Sequence, residues 1–480
     1  MPATRLMREL QILADQHRVG TLREHNNLWV LTYDADWARR DDAYDLSPAL
    51  PRSTLQHRDG ATVRPVQWYF DNLLPEETLR RLVAQDAGLR DHEDAFALLQ
   101  YLGAESAGSL TLLPPGTEAL TAAALQPLPY DALSQRIRQL PRTALTRDAP
   151  KRMSVAGAQH KLLVVRKGDA LFEPVGATPS THILKPDHPD VQTYPASAFV
   201  EHLTMGLAQA AGLPVPAFGL LQVPEPVYVI ERFDRHTDPQ TLLPATGAAP
   251  PQVRRLHVID ACQLLNRSRL FKHAGATVAA LREAIERTGD TLTLPQRLFR
   301  WLVFNMLVGN DDCHLKNLSF IVQAGTITLA PHYDMLATGV FHTRAMAGDD
   351  GRWPEVELAV RLADDVRHFS TVTPDAVLAA AAVLGVPQAV ARRVVQEVVT
   401  RTLRQFDRVY AGHFPGEPGL LDAAAAAPTS AAGAPAAAEP ARGQGVDPSS
   451  AQAIERRILR VLRHVILPEM RTRLSVGLSA

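Results

Sequence analysis

The sequence predicts an α+β fold of two lobes, with a small N-terminal α/β subdomain and a mostly helical C-terminal lobe. Three observations predict it. Short β-rich segments and two helices fill the first 116 residues, strands with one long helix follow, and helical periodicity then dominates. A chain of 480 residues is long enough for several domains, at about 150 residues each.

Composition excludes several classes of protein. Hydrophobic residues make up 46% and charged residues 21% of the chain, as in ordinary globular proteins. The net charge of −1 provides no global basic field for nucleic acid or an anionic membrane. Two cysteines, Cys262 and Cys313, are too few for a disulfide framework. The N-terminus lacks the apolar core of a secretory signal, and no run of about 18 apolar residues exists. We therefore expect a cytoplasmic protein with no membrane partner.

Residues 1–116 form the predicted N-terminal subdomain. ELQIL, RVGTL and LWVLTYD have the composition of short strands, and HNN supplies the turn before the third strand. The stretch FDNLLPEETLRRLVAQ predicts a helix with Pro75 in its first turn and with Glu76 and Glu77 at the positive end of its dipole. AFALLQYLG predicts a second helix that ends near Gly103.

The central part of the chain divides by composition. Residues 117–150 are predicted to be a connection with one helix. Residues 151–235 predict a strand-rich lobe, with strands in KLLVVRKG, ALFEPV, THILKP and VYVIERFDR and a helix in AFVEHLTMGLAQAAGL. Residues 236–410 predict a helical lobe, with helices in HVIDACQLL, VAALREAIERT and PQRLFRWLVFNMLVGN and from 375 to 410. LSFIV and TITLAP predict a hairpin around Gly325.

Residues 411–452 differ from the rest and are predicted to be a disordered insertion. Twelve of the 19 positions from Ala423 to Ala441 are alanine, but interspersed prolines interrupt any helix and little apolar surface is available for burial. Residues 453–480 contain AIERRILRVLRHVILPEMRTRL, which is amphipathic and basic. We expect this helix to dock on the helical lobe, in preference to a membrane surface or nucleic acid.

The stretch GNDDCHLKNLSFIVQAGTITLAPHYDML carries the clearest chemical signal. Asp312 and Asn317 are five residues apart, and Asp334 follows beyond the predicted hairpin. Kinases have this order: a catalytic-loop Asp, an Asn five residues on, and a metal-binding Asp. A hydroxyl nucleophile needs a carboxylate to accept its proton, and Mg²⁺ prefers amide and carboxylate oxygens. The pattern predicts a protein-kinase-like fold that uses ATP and Mg²⁺.

Segments upstream supply other parts of a kinase in the expected order. Lys185 ends the strand THILKP, where its ammonium is placed to meet phosphates, and Glu201 lies 16 residues on, where it is placed to orient Lys185. In SVAGAQHK, the small residues Ala156, Gly157 and Ala158 allow backbone N–H groups to approach a phosphate. The strand VYVIERFDR lies where backbone groups of an interlobe hinge would meet adenine.

Each of these signals also has an ordinary structural interpretation. Asp311 and Asp312 fit a helix end or turn, Lys185 fits a solvated strand end, and SVAGAQHK fits a plain turn. Zinc binding by Cys313 and His314 is disfavoured, because no second Cys/His pair stands at ligand spacing. The order of the signals favours a kinase more than any single signal does.

Together, SVAGAQHKLLVV, THILKP, ERFDR, NDDCHLKNLSF and LAPHYDML resemble the HipA family, bacterial serine/threonine kinases that act as toxins in toxin–antitoxin pairs. VGTL, FDNLLPE and LLQYLGAESAGSLTLLP resemble the N-terminal unit of the same family. The resemblance covers about residues 10–410 and the final helix.

The resemblance implies roles by position. Asp312 would be the catalytic base, and Asn317 and Asp334 would hold Mg²⁺. Ser154 matches the position at which the family autophosphorylates, which ejects the phosphate loop and switches the enzyme off; a phosphate of about −1.5 to −2 charge there should oppose ATP binding. The residues that would contact ATP are Ala156, Gly157, Ala158, Gln159, His160, Lys161, Lys185, Glu231, Arg232, Phe233, His314, Leu315, Lys316, Asn317, Tyr333 and Asp334.

The resemblance also implies partners. The substrate would be a protein, in the family an aminoacyl-tRNA synthetase and often the glutamyl enzyme. A small helix-turn-helix antitoxin would act as repressor and engage DNA, which fits the near-zero charge of this chain. The chain departs from the family pattern at His160, where a carboxylate is frequent, and in HVIDACQLLN. Two rival functions are a small-molecule kinase of similar fold and a catalytically inactive scaffold that binds a repressor.

Overall fold

The computed structural model describes residues 7–117, 122–154, 156–242, 249–323, 325–421 and 451–475. The strands in these ranges are β1 Arg8–Ala14, β2 His17–His25, β3 Leu28–Tyr33, β4 Gln56–Arg58, β5 Leu110–Leu113, β6 Ala123–Pro127, β7 Leu162–Lys167, β8 Ala170–Gly176, β9 His182–Pro186, β10 Phe218–Gln222, β11 Pro226–Glu231, β12 Arg235–Thr237, β13 Val253–Arg255, β14 His257–Asp260, β15 Ser319–Gln323 and β16 Thr326–Leu329. The α-helices are α1 Ala35–Arg39, α2 Pro65–Asp71, α3 Glu77–Asp86, α4 Ala95–Leu102, α5 Tyr130–Arg138, α6 Ser197–Ala210, α7 Ala261–Leu264, α8 Val278–Thr288, α9 Leu294–Val308, α10 Arg344–Ala347, α11 Pro374–Leu384, α12 Gln388–His413, α13 Ala451–Val461 and α14 Leu467–Leu474.

The N-terminal unit is an antiparallel sheet in the order β4-β3-β2-β1-β5, covered by helices. Its core includes Trp29, whose ring meets that of Phe96 edge to face at 5.2 Å. The three predicted strands and the helix that ends at Gly103 are present. The helix predicted in FDNLLPEETLRRLVAQ is present as α3, but it begins at Glu77, so Pro75 precedes its first turn, and Phe70 and Asp71 belong to the separate helix α2. Proline disfavours helical backbone in the residue before it, which separates the two helices.

The strand-rich lobe is a six-stranded sheet in the order β10-β11-β9-β7-β8-β6. Alternate apolar side chains of β7, β9 and β11 form a small core, which includes Leu162, Val164, Leu184, Val227 and Val229. Helix α6 packs against β11. The edge strand β6 and the helix α5 both lie in the predicted connection. That segment therefore adds a strand to the sheet and also contains the expected helix.

The helical lobe is built around α9, against which α12 and α14 pack. The prediction of a helix over HVIDACQLL is wrong in its first half. Residues His257–Asp260 form β14, which pairs with β15 of the predicted hairpin, and Asp260 then caps the short helix α7 with Gln263. The β-branched residues Val258 and Ile259 suit a buried strand, and pairing with β15 satisfies their backbone.

The end of the chain completes the helical lobe. The predicted helical stretch from 375 to 410 is two helices, α11 and α12, and α12 extends to His413, inside the predicted insertion. The rest of that insertion from 422 to 450 lies outside the described residues. Helices α13 and α14, joined by a π-helical turn, dock on the lobe as predicted. Among the described residues no single helix is long and apolar enough to cross a membrane; α11 and α12 meet the criterion only as a pair bent by 120°.

Candidate active site

A cleft of about 550 Å³ lies between the two lobes, with one wall completed by the N-terminal unit. This volume falls in the usual range for small-molecule sites, about 300–1,000 Å³. The segments that line it include the loop before β7, the end of β9, the segment after β11, the loop after α9 and the residues around Asp334. Most of the predicted ATP-contacting residues therefore face one space.

Lys185 links the two lobes across this cleft. Its Nζ donates to Glu201 Oε1 at 2.7 Å and to Asp334 Oδ1 at 2.5 Å. Burial opposes the charge of Lys185, but Asp334 and Glu201 outweigh burial and raise its pKa. Burial raises the pKa of Glu201 to about 7, although Lys185 acts in the opposite direction. Glu201 is fully buried behind the lysine, so it orients Lys185 without lining the cleft.

Asp312 lies on the loop that follows α9. That helix ends at Gly309, whose φ of 69° turns the chain, and Asn310 Oδ1 accepts from the Asp312 N–H at 3.0 Å. The Asp312 side chain is 59% exposed to solvent within the cleft. Surrounding protein atoms still reduce its solvation, and together with the carboxylates of Asp334 and Asp311 they raise the pKa of Asp312 to about 7. A carboxyl group with this pKa is suited to proton transfer near neutral pH.

Asn317 and Asp334 offer the ligand set that Mg²⁺ prefers. Asn317 Nδ2 donates to the Asp312 carbonyl at 3.1 Å, and no described residue donates to its Oδ1. Burial would raise the pKa of Asp334, but Lys185 and Lys161 outweigh it and lower that pKa to about 2. An amide oxygen and an ionised carboxylate, both on the cleft wall, fit a hard divalent cation. Asp334 has a φ of +58°, uncommon for a non-glycine residue and frequent at functional sites.

The predicted phosphate loop curls around its own lysine. Lys161 Nζ donates to the Ala156 carbonyl at 2.6 Å. Gly157 has a φ of +113°, and a Cβ there would lie 2.7 Å from Lys161 Nζ. The N-terminal unit holds the loop from outside, because the Glu76 N–H donates to the Gly157 carbonyl at 3.2 Å. Burial and the charge of Lys185 lower the pKa of Lys161 to about 8.

Three other predicted site residues do not line the cleft. Ser154 is buried against the N-terminal unit, where its Oγ donates to the Leu73 carbonyl at 2.5 Å. His160 and Leu315 were predicted to contact ATP but lie behind the cleft wall. Leu315 packs in the main apolar core, and burial lowers the pKa of His160 to about 4. Such positions follow from the local direction of each side chain, which a linear motif does not specify.

Some residues at the end of β11 and directly after it hold the structure together, whereas another offers its side chain to the cleft. The backbone N–H groups of Glu231 and Arg232 donate to carbonyls of neighbouring strands and loops. The Arg232 guanidinium is buried in ion pairs with Asp234 and Glu105. Phe233 instead stacks on Tyr333, with ring centroids 5.3 Å apart, and both residues line the cleft. These rings provide a flat apolar surface of the kind that an adenine base packs against.

Charged residues from the N-terminal unit also reach the cleft, and the sequence did not single them out for this role. Glu76 pairs with Lys272 at 2.6 Å and lies 3.4 Å from Lys316, whose ammonium is held by Asp260 and Asn72. The partners are up to 244 residues apart, so no local spacing could reveal them. Asp311 also lines the cleft, where it pairs with His342 at 2.9 Å, whereas the sequence placed it only at a helix end or turn.

The fold and this cleft define the class of the protein, a kinase with a strand-rich and a helical lobe. Comparison with known families supports the same class. The profile described as HipA-like C-terminal domain matches residues 153–406, and that of the HipA N-terminal domain matches residues 10–113. The chain belongs to the HipA family, and both the predicted family and the predicted kinase class are confirmed.

Individual relatives agree with this assignment. A Sinorhizobium fredii protein named "Putative kinase Y4mE" is 32% identical over 345 residues, which cover 69% of this chain and 78% of that protein. The "Serine/threonine-protein kinase toxin HipA" of Shewanella oneidensis is 28% identical, over 69% of this chain and 76% of the relative. A solved structure of Shewanella oneidensis HipA, with HipB and operator DNA, superposes with a TM-score of 0.68 at 21% identity and covers 97% of each chain. The predicted α+β kinase-like fold is thereby confirmed.

Proposed function

We propose that this chain is an ATP- and Mg²⁺-dependent serine/threonine-protein kinase and the toxin of a toxin–antitoxin pair. The observation that carries the proposal is the position of Lys185, whose ammonium joins Glu201 of the strand-rich lobe to Asp334 of the helical lobe inside the cleft. The neighbouring carboxyl group of Asp312 has a pKa of about 7. An ion pair with only a structural role would not require such a group, so its presence favours a catalytic site.

Different residues of the cleft have different roles in phosphoryl transfer. When bound, Mg²⁺–ATP supplies the γ-phosphoryl group and offsets the charge that develops on it. Asn317 and Asp334 hold the metal, and Lys185 and the phosphate loop hold the phosphates. Asp312 positions the substrate hydroxyl and accepts its proton on a carboxylate oxygen. Phe233 and Tyr333 pack against the adenine base.

The relatives suggest the partners. Because the Shewanella oneidensis protein is named a serine/threonine-protein kinase toxin and is seen with HipB and operator DNA, we propose a small helix-turn-helix antitoxin for this chain. DNA contact would then occur mainly through that partner, since the net charge of this chain is −1. The proposed substrate is a cytoplasmic translation component such as an aminoacyl-tRNA synthetase.

Autophosphorylation of Ser154 is proposed as the off switch. Its hydroxyl is buried against Leu73, and its N–H donates to the Glu105 carbonyl at 2.7 Å. A phosphate of about −1.5 to −2 charge does not fit a buried position without compensating cations. Phosphorylation would therefore displace the loop from the N-terminal unit, and Gly157 and Lys161 would leave the cleft with it.

Labelling with radioactive ATP tests the proposed function. Purified chain incubated with Mg²⁺ and a bacterial lysate should label a lysate protein on Ser or Thr and label itself at Ser154. The Ser154→Ala variant should lose self-labelling and retain labelling of the lysate protein. Labelling of small metabolites alone would favour the small-molecule kinase, and absence of ATP-dependent thermal stabilisation would favour the inactive scaffold.

The pH dependence of the reaction should reflect two shifted pKa values. Asp312 must be deprotonated to act as base, so kcat/KM should fall about tenfold per unit below its pKa of about 7. Lys161 must be protonated to hold phosphate, so kcat/KM should also fall above its pKa of about 8. The profile should be bell-shaped. Lys161→Arg, which stays charged, should extend only the alkaline limb; a flat profile from pH 5 to pH 7 would refute the assignment of Asp312.

A further inference from the structure

Three side chains with metal-ligating groups meet at one side of the cleft. His273 follows the helical turn Arg269–Phe271, whereas Asp312 and His314 belong to the loop after α9. One ligand atom of each residue lies within 4.8 Å of those of the other two. His273 Nε2 is 3.9 Å from Asp312 Oδ1, and the rings of His273 and His314 meet edge to face at 4.6 Å. Small side-chain rotations would bring these atoms to the spacing of a coordination sphere.

His314 provides an independent indication of a ligand. Its side chain is buried, with 7% of the residue exposed, and its Nδ1 has no hydrogen-bond partner among the described residues. Buried polar atoms in native proteins nearly always have a partner, and a bound ion is one accepted explanation of an exception. His273 and Asp312 are exposed to the cleft, so a cation has access to the site.

The charges around the site favour a cation. Burial, followed by Lys272, lowers the pKa of His314. Burial also lowers the pKa of His273. The nearby Lys272 ammonium is balanced by Glu76 at 2.6 Å and Glu77 at 3.0 Å. The carboxylates of Asp311 and Asp334 also act on the group: Asp334 on Asp312 and His314, and Asp311 on Asp312 and His273.

We propose that His273, Asp312 and His314 form a second metal site, which binds a transition-metal cation such as Zn²⁺ and thereby inhibits phosphoryl transfer. Two imidazoles and one carboxylate, with a fourth position open to water, are a ligand set that Zn²⁺ uses. The set contains nitrogen, so it discriminates against Mg²⁺, which prefers oxygen ligands. A cation here occupies the Asp312 carboxylate, and the substrate hydroxyl loses its proton acceptor. The inhibition depends on the proposed kinase function, whereas metal binding does not.

Cobalt binding tests the site directly in the full-length chain. Co²⁺ added in the presence of excess Mg²⁺ should give the visible absorption of a four-coordinate centre, and Zn²⁺ should displace it. Because His273→Gln removes a direct ligand, it should weaken Co²⁺ and Zn²⁺ binding more than about 100-fold. Loss of a residue that only hydrogen-bonds to a metal ligand typically weakens binding by about 10–100-fold. The matched control is His188→Gln, which removes another histidine of the cleft. The Nδ1 of His188 accepts from the Asp190 N–H, and this variant should leave the metal affinity unchanged.

Kinase assays of the same variants test the inhibition. Micromolar Zn²⁺ should inhibit the native chain and the His188→Gln variant, whereas His273→Gln should keep its activity at Zn²⁺ concentrations about 100-fold higher. An unchanged Co²⁺ spectrum in His273→Gln, or unchanged Zn²⁺ sensitivity of that variant, would overturn the proposal. If the native chain transfers no phosphate, the proposed function fails, and the Co²⁺ spectrum still decides whether the metal site exists.

Discussion

Replacement of Asp312 by Asn should lower the rate of phosphoryl transfer by about 10²–10⁴-fold, the usual effect of losing a general base. The side chains have nearly the same shape, and the contact that holds Asn317 comes from the Asp312 backbone carbonyl, so the cleft should keep its geometry. The variant also removes a carboxylate that repels Asp334, so it should bind Mg²⁺–ATP at least as well as the native chain.

Two measurements separate loss of the base from loss of the fold. Single-turnover transfer to a protein substrate gives the rate, and thermal stabilisation by Mg²⁺–ATP gives binding. The matched control is Asp311→Asn, because the adjacent carboxylate pairs with His342 and is not proposed to act as base. A rate within threefold of the native value in Asp312→Asn would refute the assignment, as would an equal loss in both variants.

Replacement of Glu105 by Gln should destabilise the chain by about 3–5 kcal/mol, the cost of leaving buried charges without their partner. Glu105 is fully buried, and its carboxylate accepts from Lys151 at 2.8 Å, Arg235 at 2.9 Å and Arg232 at 3.1 Å. The neutral amide leaves Arg232 and Arg235 with the carboxylate of Asp234, and it leaves Lys151 with the Thr178 carbonyl. Because Glu105 belongs to the N-terminal unit and Arg232 to the segment after β11, the change should also weaken ATP binding.

The pH dependence of stability provides a check on this prediction. Burial would raise the pKa of Glu105, but Lys151, Arg235 and Arg232 outweigh it and hold the pKa well below its usual value. A depressed pKa stabilises the fold above the unfolded value, about 4.3, and the contribution is lost as pH falls below it. The difference in the free energy of unfolding between the native chain and the variant, measured with urea, should therefore be largest at pH 7 and shrink below about pH 4.

A surface carboxylate is the control for this experiment. Glu9 pairs with Arg23 at 2.6 Å, but both side chains are partly exposed. Surface ion pairs contribute about 0–1 kcal/mol, so Glu9→Gln should have little effect on unfolding. If the two variants unfold at the same urea concentration, the buried network does not hold the N-terminal unit to the kinase lobes.

The sequence alone determined the class of the protein and the candidates for its chemistry. Kinase parts occur in a set order along the chain, and the D-x-x-x-x-N spacing, the strand-end Lys185 and the later Asp334 are local features that a linear pattern records. Helices such as α6 and α9 were predictable because apolar periodicity extends over several turns. HVIDACQLL was not, because β14 is selected by its pairing with β15, about 60 residues away.

Tertiary structure alone decided which candidates share a space. Ser154, His160 and Leu315 belong to the same short motifs as cleft residues, but their side chains point away from the cleft. His273 reaches Asp312 through packing within the helical lobe, and Glu105 of the N-terminal unit reaches Arg235 through the packing of separate units. The physical reason is that side-chain direction, burial and long-range charge pairing arise when segments pack together, whereas spacing along a chain reports only what neighbouring residues do.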